Sequence, residues 1–471
     1  MGVSQIDLWI VGAYLVATLV IGLYFGWKLE SFKEFAIGDR KIGTMALFAT
    51  MFATAIGAGT TLAASEKVFV LGTVFIFIRF GLFIASVLHS LVFKDMSKCL
   101  ESSISIGDIV GYFYGKSGKL ISGVVTVIAY TGYIGLQVKA IGYLFEYFLG
   151  ITSTQGVFLG VGLVVLYSSL GGIRAVTATD ILQFAMLAIA LPFLALWALR
   201  QAGGPEVVKQ GLPAGHLNFF PHGPNAKEHL SLFALYCFPG MYGIILQRLL
   251  MAKDATQGAR VWLAAGMAKV LFFCIVGLIA LIAVAVNPEL KPKLAMLWVI
   301  EQYTSPGVYG LMVVGLLAVV MSTADSSLHV SSIALTHDVV GVLRNKKLDS
   351  KTELRLAQVM SLIIGALAIC VALWFSDLLS IAIAFRSFWA LAIPIPLIAA
   401  VYGFRASPRT FLLAVTAGVV TSVGWDRFAP EGAMGAFVPS IVVHTIVFFT
   451  ARMFDPLHIR IEKKPDGSAV A

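Results

Sequence analysis

The chain has 471 residues, of which 59% are hydrophobic and 13% charged. A soluble domain carries about 25% charged residues, so a globular enzyme is excluded and an all-α integral membrane protein is indicated. The net charge of +9 would suit a nucleic-acid binder, but most of its Lys and Arg residues sit in short loops between apolar segments. Cys99, Cys237, Cys274 and Cys370 show no paired spacing, so neither a disulfide framework nor a zinc site is predicted.

About thirteen segments approach the roughly 17–25 residues that a membrane-spanning helix needs, the last two being short. The first covers 8–27. It follows an N-terminus without the basic region of a cleavable signal, which predicts that it stays in the membrane. The second, 43–64, contains Phe-Ala-Thr-Ala-Ile-Gly-Ala-Gly-Thr-Thr (52–61) and is interrupted by glycine. The third, 68–93, holds Arg79. The fourth, 120–149, holds Lys139 and Glu146. The fifth is 154–170, and the sixth, 175–199, holds Asp180.

The seventh, 230–251, is broken at Cys-Phe-Pro-Gly-Met-Tyr-Gly (237–243). The eighth, 261–286, holds Lys269, and the ninth, 308–335, holds Asp325 and His329. The tenth is 356–375. The eleventh, 378–403, holds Arg386, and 411–425 and 436–449 complete the series. Matching interruptions in the two halves of such a chain point to a transporter's binding site. Backbone freed from helical bonding is tolerated in a membrane only where it lines a cavity or is buried in protein. Two packing kinks are the plainer alternative, since Gly and Pro are common in membrane helices.

Orientation follows from the loop cations. One side carries Lys28, Lys33, Arg40, Lys41, Lys94, Lys98, Lys116, Lys119, Arg174, Arg248, Lys253 and Arg260. The same side carries Arg344, Lys346, Lys347, Lys351, Arg355, Arg405 and Arg409, then Arg452, Arg460, Lys463 and Lys464. The other side has only Lys67, Arg200, Lys209, Lys227, Lys291, Lys293 and Arg427. The expectation is a multi-pass protein of the cell (inner) membrane, with its N-terminus outside and its C-terminus cytoplasmic. The lipid bilayer is then its partner, and nucleic acid is not. No phosphate-binding loop G-x-x-x-x-G-K-[ST] is present, so ATP-driven transport by this chain is unsupported.

Ionisable residues at membrane depth are functional candidates by default. In Val-Val-Met-Ser-Thr-Ala-Asp-Ser-Ser-Leu-His (319–329), helical spacing puts Ser322, Asp325 and Ser326 on one face. A carboxylate and two hydroxyls there are the oxygen ligands that hard cations take. A Ser/Thr-rich packing interface is the alternative. Asp180 lies roughly 8 Å inside the sixth span at 1.5 Å per residue. It suits a cation route, or pairs with a neighbour such as Arg174. Lys139 is either functional or a structural cation bonded to backbone carbonyls.

Four motifs together resemble the sodium:solute symporter family over nearly the whole chain. They are Glu-Phe-Ala-Ile-Gly-Asp-Arg-Lys-Ile-Gly (34–43), Tyr-Ser-Ser-Leu-Gly-Gly-Ile-Arg-Ala-Val-Thr-Ala-Thr-Asp-Ile-Leu-Gln (167–183), Gln-Arg-Leu-Leu-Met-Ala-Lys-Asp-Ala (247–255) and Ala-Val-Val-Met-Ser-Thr-Ala-Asp-Ser-Ser (318–327). The resemblance implies a core of five plus five inverted-repeat helices at 43–403, with repeats at about 43–200 and 229–403. A first peripheral helix and loop (1–42), two C-terminal peripheral helices (404–454) and a cytoplasmic tail (455–471) would flank it.

It implies Na+ as the coupling ion, held by the carbonyls of Ala53, Ile56 and Val319 and the hydroxyls of Ser322 and Thr323. A possible second cation site would comprise Asp180, Ser322, Asp325 and Ser326. Asp325 stands where members with that site often carry a hydroxyl, so it could bind sodium, carry a proton or pair with a cation. Substrate positions carried over by motif spacing are Gly57, Thr60, Arg79, Phe238 as an inner gate, Lys269 and Arg386. Three of these are cationic, which points to a small anionic solute, most simply a carboxylate. A neutral or zwitterionic solute such as an amino acid or sugar is the alternative if the cations are neutralised internally. A transporter-like membrane sensor is a further alternative, and no nucleophile-base pair or metal-ligand cluster supports an enzyme.

Overall fold

The structure, a computed structural model, describes residues 3–27, 29–38, 40, 42–344, 348–404, 406–428 and 435–454. Lys28, Lys41, Lys346, Lys347, Arg405 and the tail 455–471, which enter the orientation argument, lie outside the described residues. Every described element is a helix, as backbone groups in hydrocarbon require. Each predicted span meets a helix or a closely spaced helix pair.

The segment 43–64 is two helices, Thr44–Ala55 and Leu62–Leu71, joined through Ile56, Gly57 and a short 3-10 turn, and the axis bends by 76° there. The second break separates Ala226–Cys237 from Gly243–Met251. The helix Ser153–Gln201 changes direction at Gly172, whose φ of 57° only glycine adopts freely. A Cβ at that position would stand 2.8 Å from the Phe35 ring. The fifth and sixth spans are thus one continuous run turned at a Gly-Gly pair.

The helix Val308–Ile333 is buried along almost its whole length. It packs against Gln5–Gly26, Ile106–Leu149 and Ser153–Gln201. An Asp7 carboxylate oxygen accepts from the backbone N–H of Gly307 at 2.7 Å and of Gly310 at 2.8 Å, which satisfies two donors that a helix start leaves open. Asp7→Ala is expected to cost about 1–2 kcal/mol, the upper range for losing a cap, and to lower the melting temperature without changing cation selectivity. Unaltered thermal stability would refute that role.

Lys139 donates to the Ala372 carbonyl at 2.9 Å. It is a structural cation tying the fourth span to Ser350–Trp374. Glu146 is exposed.

Candidate functional site

The first break meets the central helix at Thr323. Its hydroxyl donates to the Ile56 carbonyl at 2.9 Å and the Thr54 carbonyl at 3.2 Å. Gly57 is extended and pressed against this contact: a Cβ there would stand 2.7 Å from Thr323 Oγ1 and 3.0 Å from both terminal atoms of Gln137. Gln137 Oε1 accepts from Ala58 N–H at 2.8 Å, so the fourth span supplies a partner for the unwound backbone. Of the predicted sodium ligands, the structure brings Thr323 and Ile56 together. The Ser322 hydroxyl donates to Asp180 Oδ1 at 2.6 Å, which leaves its oxygen lone pairs open to a cation. The Ala53 carbonyl accepts from Ile56 N–H at 3.1 Å, and Val319 is fully buried.

The side chains named for a possible second cation site lie near one another, around an unforeseen partner. Asp180 does not pair with Arg174, which bridges to Glu34 at 2.7 Å. Asp180 pairs with Arg248 at 3.1 Å, both side chains being wholly buried. Arg248 also donates to Thr50 and Thr54 at 3.1 Å each and to Ser326 at 2.5 Å. The cation count puts Arg248 on the cytoplasmic side, near the end of the span 230–251; the structure places it wholly inside the core, on the half-helix after the second break. Asp325 accepts from Tyr167 at 3.1 Å, Thr179 at 3.4 Å and Ser326 at 3.3 Å. It forms no ion pair among the described residues.

Above this lies a cavity of about 120 Å³ lined by Gly57, Thr60, Arg79, Lys269, Thr323 and Arg386, together with several aromatic side chains. The Arg79 and Arg386 guanidiniums stand 4.4 and 4.7 Å from the same Tyr236 ring centroid, and Arg386 is 4.8 Å from that of Tyr242. Lys269 Nζ sits 3.8 Å from the centroid of the Trp262 ring and donates to Ser86 at 3.2 Å. Arg79 also donates to the Gly59 carbonyl. None of the three forms an ion pair among the described residues. The Nε atoms of Arg79 and Arg386 are buried without a hydrogen-bond partner. Phe238 does not line this cavity. It stacks edge-on against Phe437, 5.6 Å between centroids, so the structure gives it a place against the C-terminal helix instead of an inner gate.

The sodium:solute symporter family model matches residues 35–438. The chain belongs to the sodium:solute symporter family. It is 24% identical to the osmoregulated proline transporter of Bacillus subtilis over 92% of this chain and 94% of that one. It is 26% identical to a sodium/proline symporter of Staphylococcus saprophyticus over 76% and 74%. Among solved structures, a Na+-coupled sialic acid symporter aligns with a TM-score of 0.79 at 18% identity, covering 96% of this chain and 97% of that one. A transporter bound to L-phenylalanine aligns with a TM-score of 0.56 at 15% identity, covering 86% and 98%. These likenesses establish the fold as the inverted-repeat transporter core with two broken helices. As a symporter-family member the chain is a membrane transporter and not an enzyme.

Within this symporter fold, residues that are neither charged nor at a helix break also line the site. Gln137 is an uncharged amide two residues before Lys139, and polarity at membrane depth is its only signal. Tyr130, Tyr133, Tyr236, Tyr242 and Trp262 line the cavity, but aromatic residues are too common in this sequence for spacing to single them out. Tyr236 lies two residues before Phe238, toward the opposite face of the helix.

Proposed function

We propose that this symporter uses the sodium gradient to import a small carboxylate-bearing solute, an organic anion in its simplest form, by alternating access. Sodium is carried at Ala53, Ile56, Val319, Ser322 and Thr323, and the solute in the cavity at Gly57, Thr60, Arg79, Lys269 and Arg386. One observation carries the reading of the solute: three cations surround one cavity with no carboxylate beside them.

A cation at membrane depth costs about 3 kcal/mol on insertion scales. Facing aromatic rings offset about 2 kcal/mol each when desolvated, so the side chains persist without an acid. Their charge remains available to a ligand, and a guanidinium offers a carboxylate two parallel donors. The membrane is the plasma membrane, with the N-terminus outside as the loop cations indicate.

The names of the proline-transporting relatives favour a second reading, in which the solute is an amino acid such as proline. Its carboxylate would meet the same arginines. Its ammonium would need acceptors from Gln137, tyrosine hydroxyls and unwound carbonyls, since no acid lines the cavity.

Sodium-driven uptake into proteoliposomes, competed by proline, small monocarboxylates, dicarboxylates and neutral sugars, separates the two. Inhibition by carboxylates without an amino group is the expected result. Inhibition by proline alone would replace the anion with the amino acid. Inhibition by sugars alone would end both readings. Arg386→Gln is expected to raise the solute concentration for half-maximal uptake at least tenfold, since a hydrogen bond to a charged group contributes about 1.5–3 kcal/mol. An unchanged half-saturation value would remove Arg386 from the solute site.

A further inference from the structure

The second cation site of this chain already contains a cation. Arg248, on the half-helix after the second break, reaches oxygen atoms on three other helices: Thr50 and Thr54 on the first broken span, Asp180 on the sixth and Ser326 on the ninth. A guanidinium has five N–H donors and no acceptor, so it binds the all-oxygen ligand set that would otherwise suit a sodium ion.

The oxygens of that set are taken. Asp180 Oδ1 accepts from Ser322, and Oδ2 accepts from Arg248, Thr54 and Thr50. Ser326 accepts from Arg248 and lies 3.1 Å from Thr54. All of these side chains are buried. A sodium ion entering here would meet a fixed positive charge and would have to strip away its hydrogen bonds.

We propose that Arg248 is the resident cation of the second site, so that the symporter moves its solute with a single sodium ion. The proposal rests on sodium coupling as described above. Charge balance supports it: Arg248 cancels Asp180. Asp325 is engaged separately, by the hydroxyls of Tyr167, Thr179 and Ser326. A sodium ion entering here would find Asp180 already neutralised by Arg248.

The test is the sodium stoichiometry of the purified full chain. Radioactive sodium binding is measured per protein, and the sodium dependence of uptake is measured in proteoliposomes. The wild type is expected to bind one sodium and to show a Hill coefficient near one. Arg248→Gln removes the resident charge and keeps Asp180, Ser322 and Ser326. It is expected to double the bound sodium, and adding Asp180→Asn should return the count to one. Two sodium ions per solute in the wild type would overturn the inference while leaving the symport reading intact. An Arg248→Gln protein that still binds only one would also overturn it. Should that variant fail to fold, the wild-type count decides alone. The absence of any sodium binding or sodium-stimulated uptake would instead sink the symport reading itself.

Discussion

Asp180→Asn should be among the most damaging single substitutions in this protein. It removes the only acid paired with Arg248 among the described residues, where both side chains are fully buried. Breaking a buried ion pair by deleting one partner costs about 3–5 kcal/mol, because the remaining charge keeps its desolvation penalty and loses its compensation. The asparagine also offers its amide nitrogen to Arg248 and Thr50, which need an acceptor.

The expected result is a marked fall in melting temperature and loss of transport. Asp180→Asn combined with Arg248→Gln should be less destabilised than Asp180→Asn alone, since the pair then becomes two amides. A thermal-unfolding cycle over the two singles and the double measures the coupling. If Asp180→Asn melts like the wild type, the ion pair does not hold these helices together.

Gly57→Ala should abolish most sodium-driven uptake at ordinary sodium concentrations while the protein still folds. The backbone at Gly57 is extended, so an alanine suffers no torsional strain. Its methyl group, however, would stand 2.7 Å from Thr323 Oγ1 and 3.0 Å from the Gln137 amide. Neither neighbour can yield freely. Thr323 is bonded to the Ile56 carbonyl, and Gln137 holds Ala58.

The methyl therefore pushes apart the two elements that supply the proposed sodium ligands. The sodium concentration for half-maximal uptake is expected to rise by about tenfold or more, equivalent to about 1.4 kcal/mol of lost binding. Gly59→Ala is the control, because its Cβ would meet nothing nearer than 3.7 Å, and it should behave almost as wild type. Equal sodium dependence in both variants would dissociate Gly57 from the cation site.

Much of the scaffold is legible in the sequence because the bilayer leaves few solutions. Apolar runs of sufficient length must be helices, and the glycine and proline interruptions at 56–61 and 238–243 mark where helix bonding fails. The signature through Gly171 and Gly172 is legible for a local reason: the chain needs a left-handed φ beside Phe35. Thr323 and Asp180 are legible as polar groups that have no place in hydrocarbon unless they are bonded.

The pairing of these groups was not legible. Arg248 is counted among the cytoplasmic-side cations although it falls at the end of the span 230–251, because the chain alone does not register that the half-helix after the break lies deep inside the bundle. Arg174 looks like the natural partner of Asp180 because it is near in sequence. The turn at Gly172 carries it toward Glu34 instead, and an arginine 68 residues away supplies the charge. Helical periodicity puts Tyr236 and Phe238 on opposite faces but does not say which face meets the cavity; the structure leaves Tyr236 on the cavity and Phe238 against Phe437.

The sequence by itself thus determined which residues are too polar or too irregular for a membrane interior, since solvation by lipid acts on each residue separately. Only the tertiary structure decided which of them neutralise one another and which face an open cavity. Coulombic and hydrogen-bond energies depend on distances of a few ångströms between helices, and no local pattern in the chain encodes those distances.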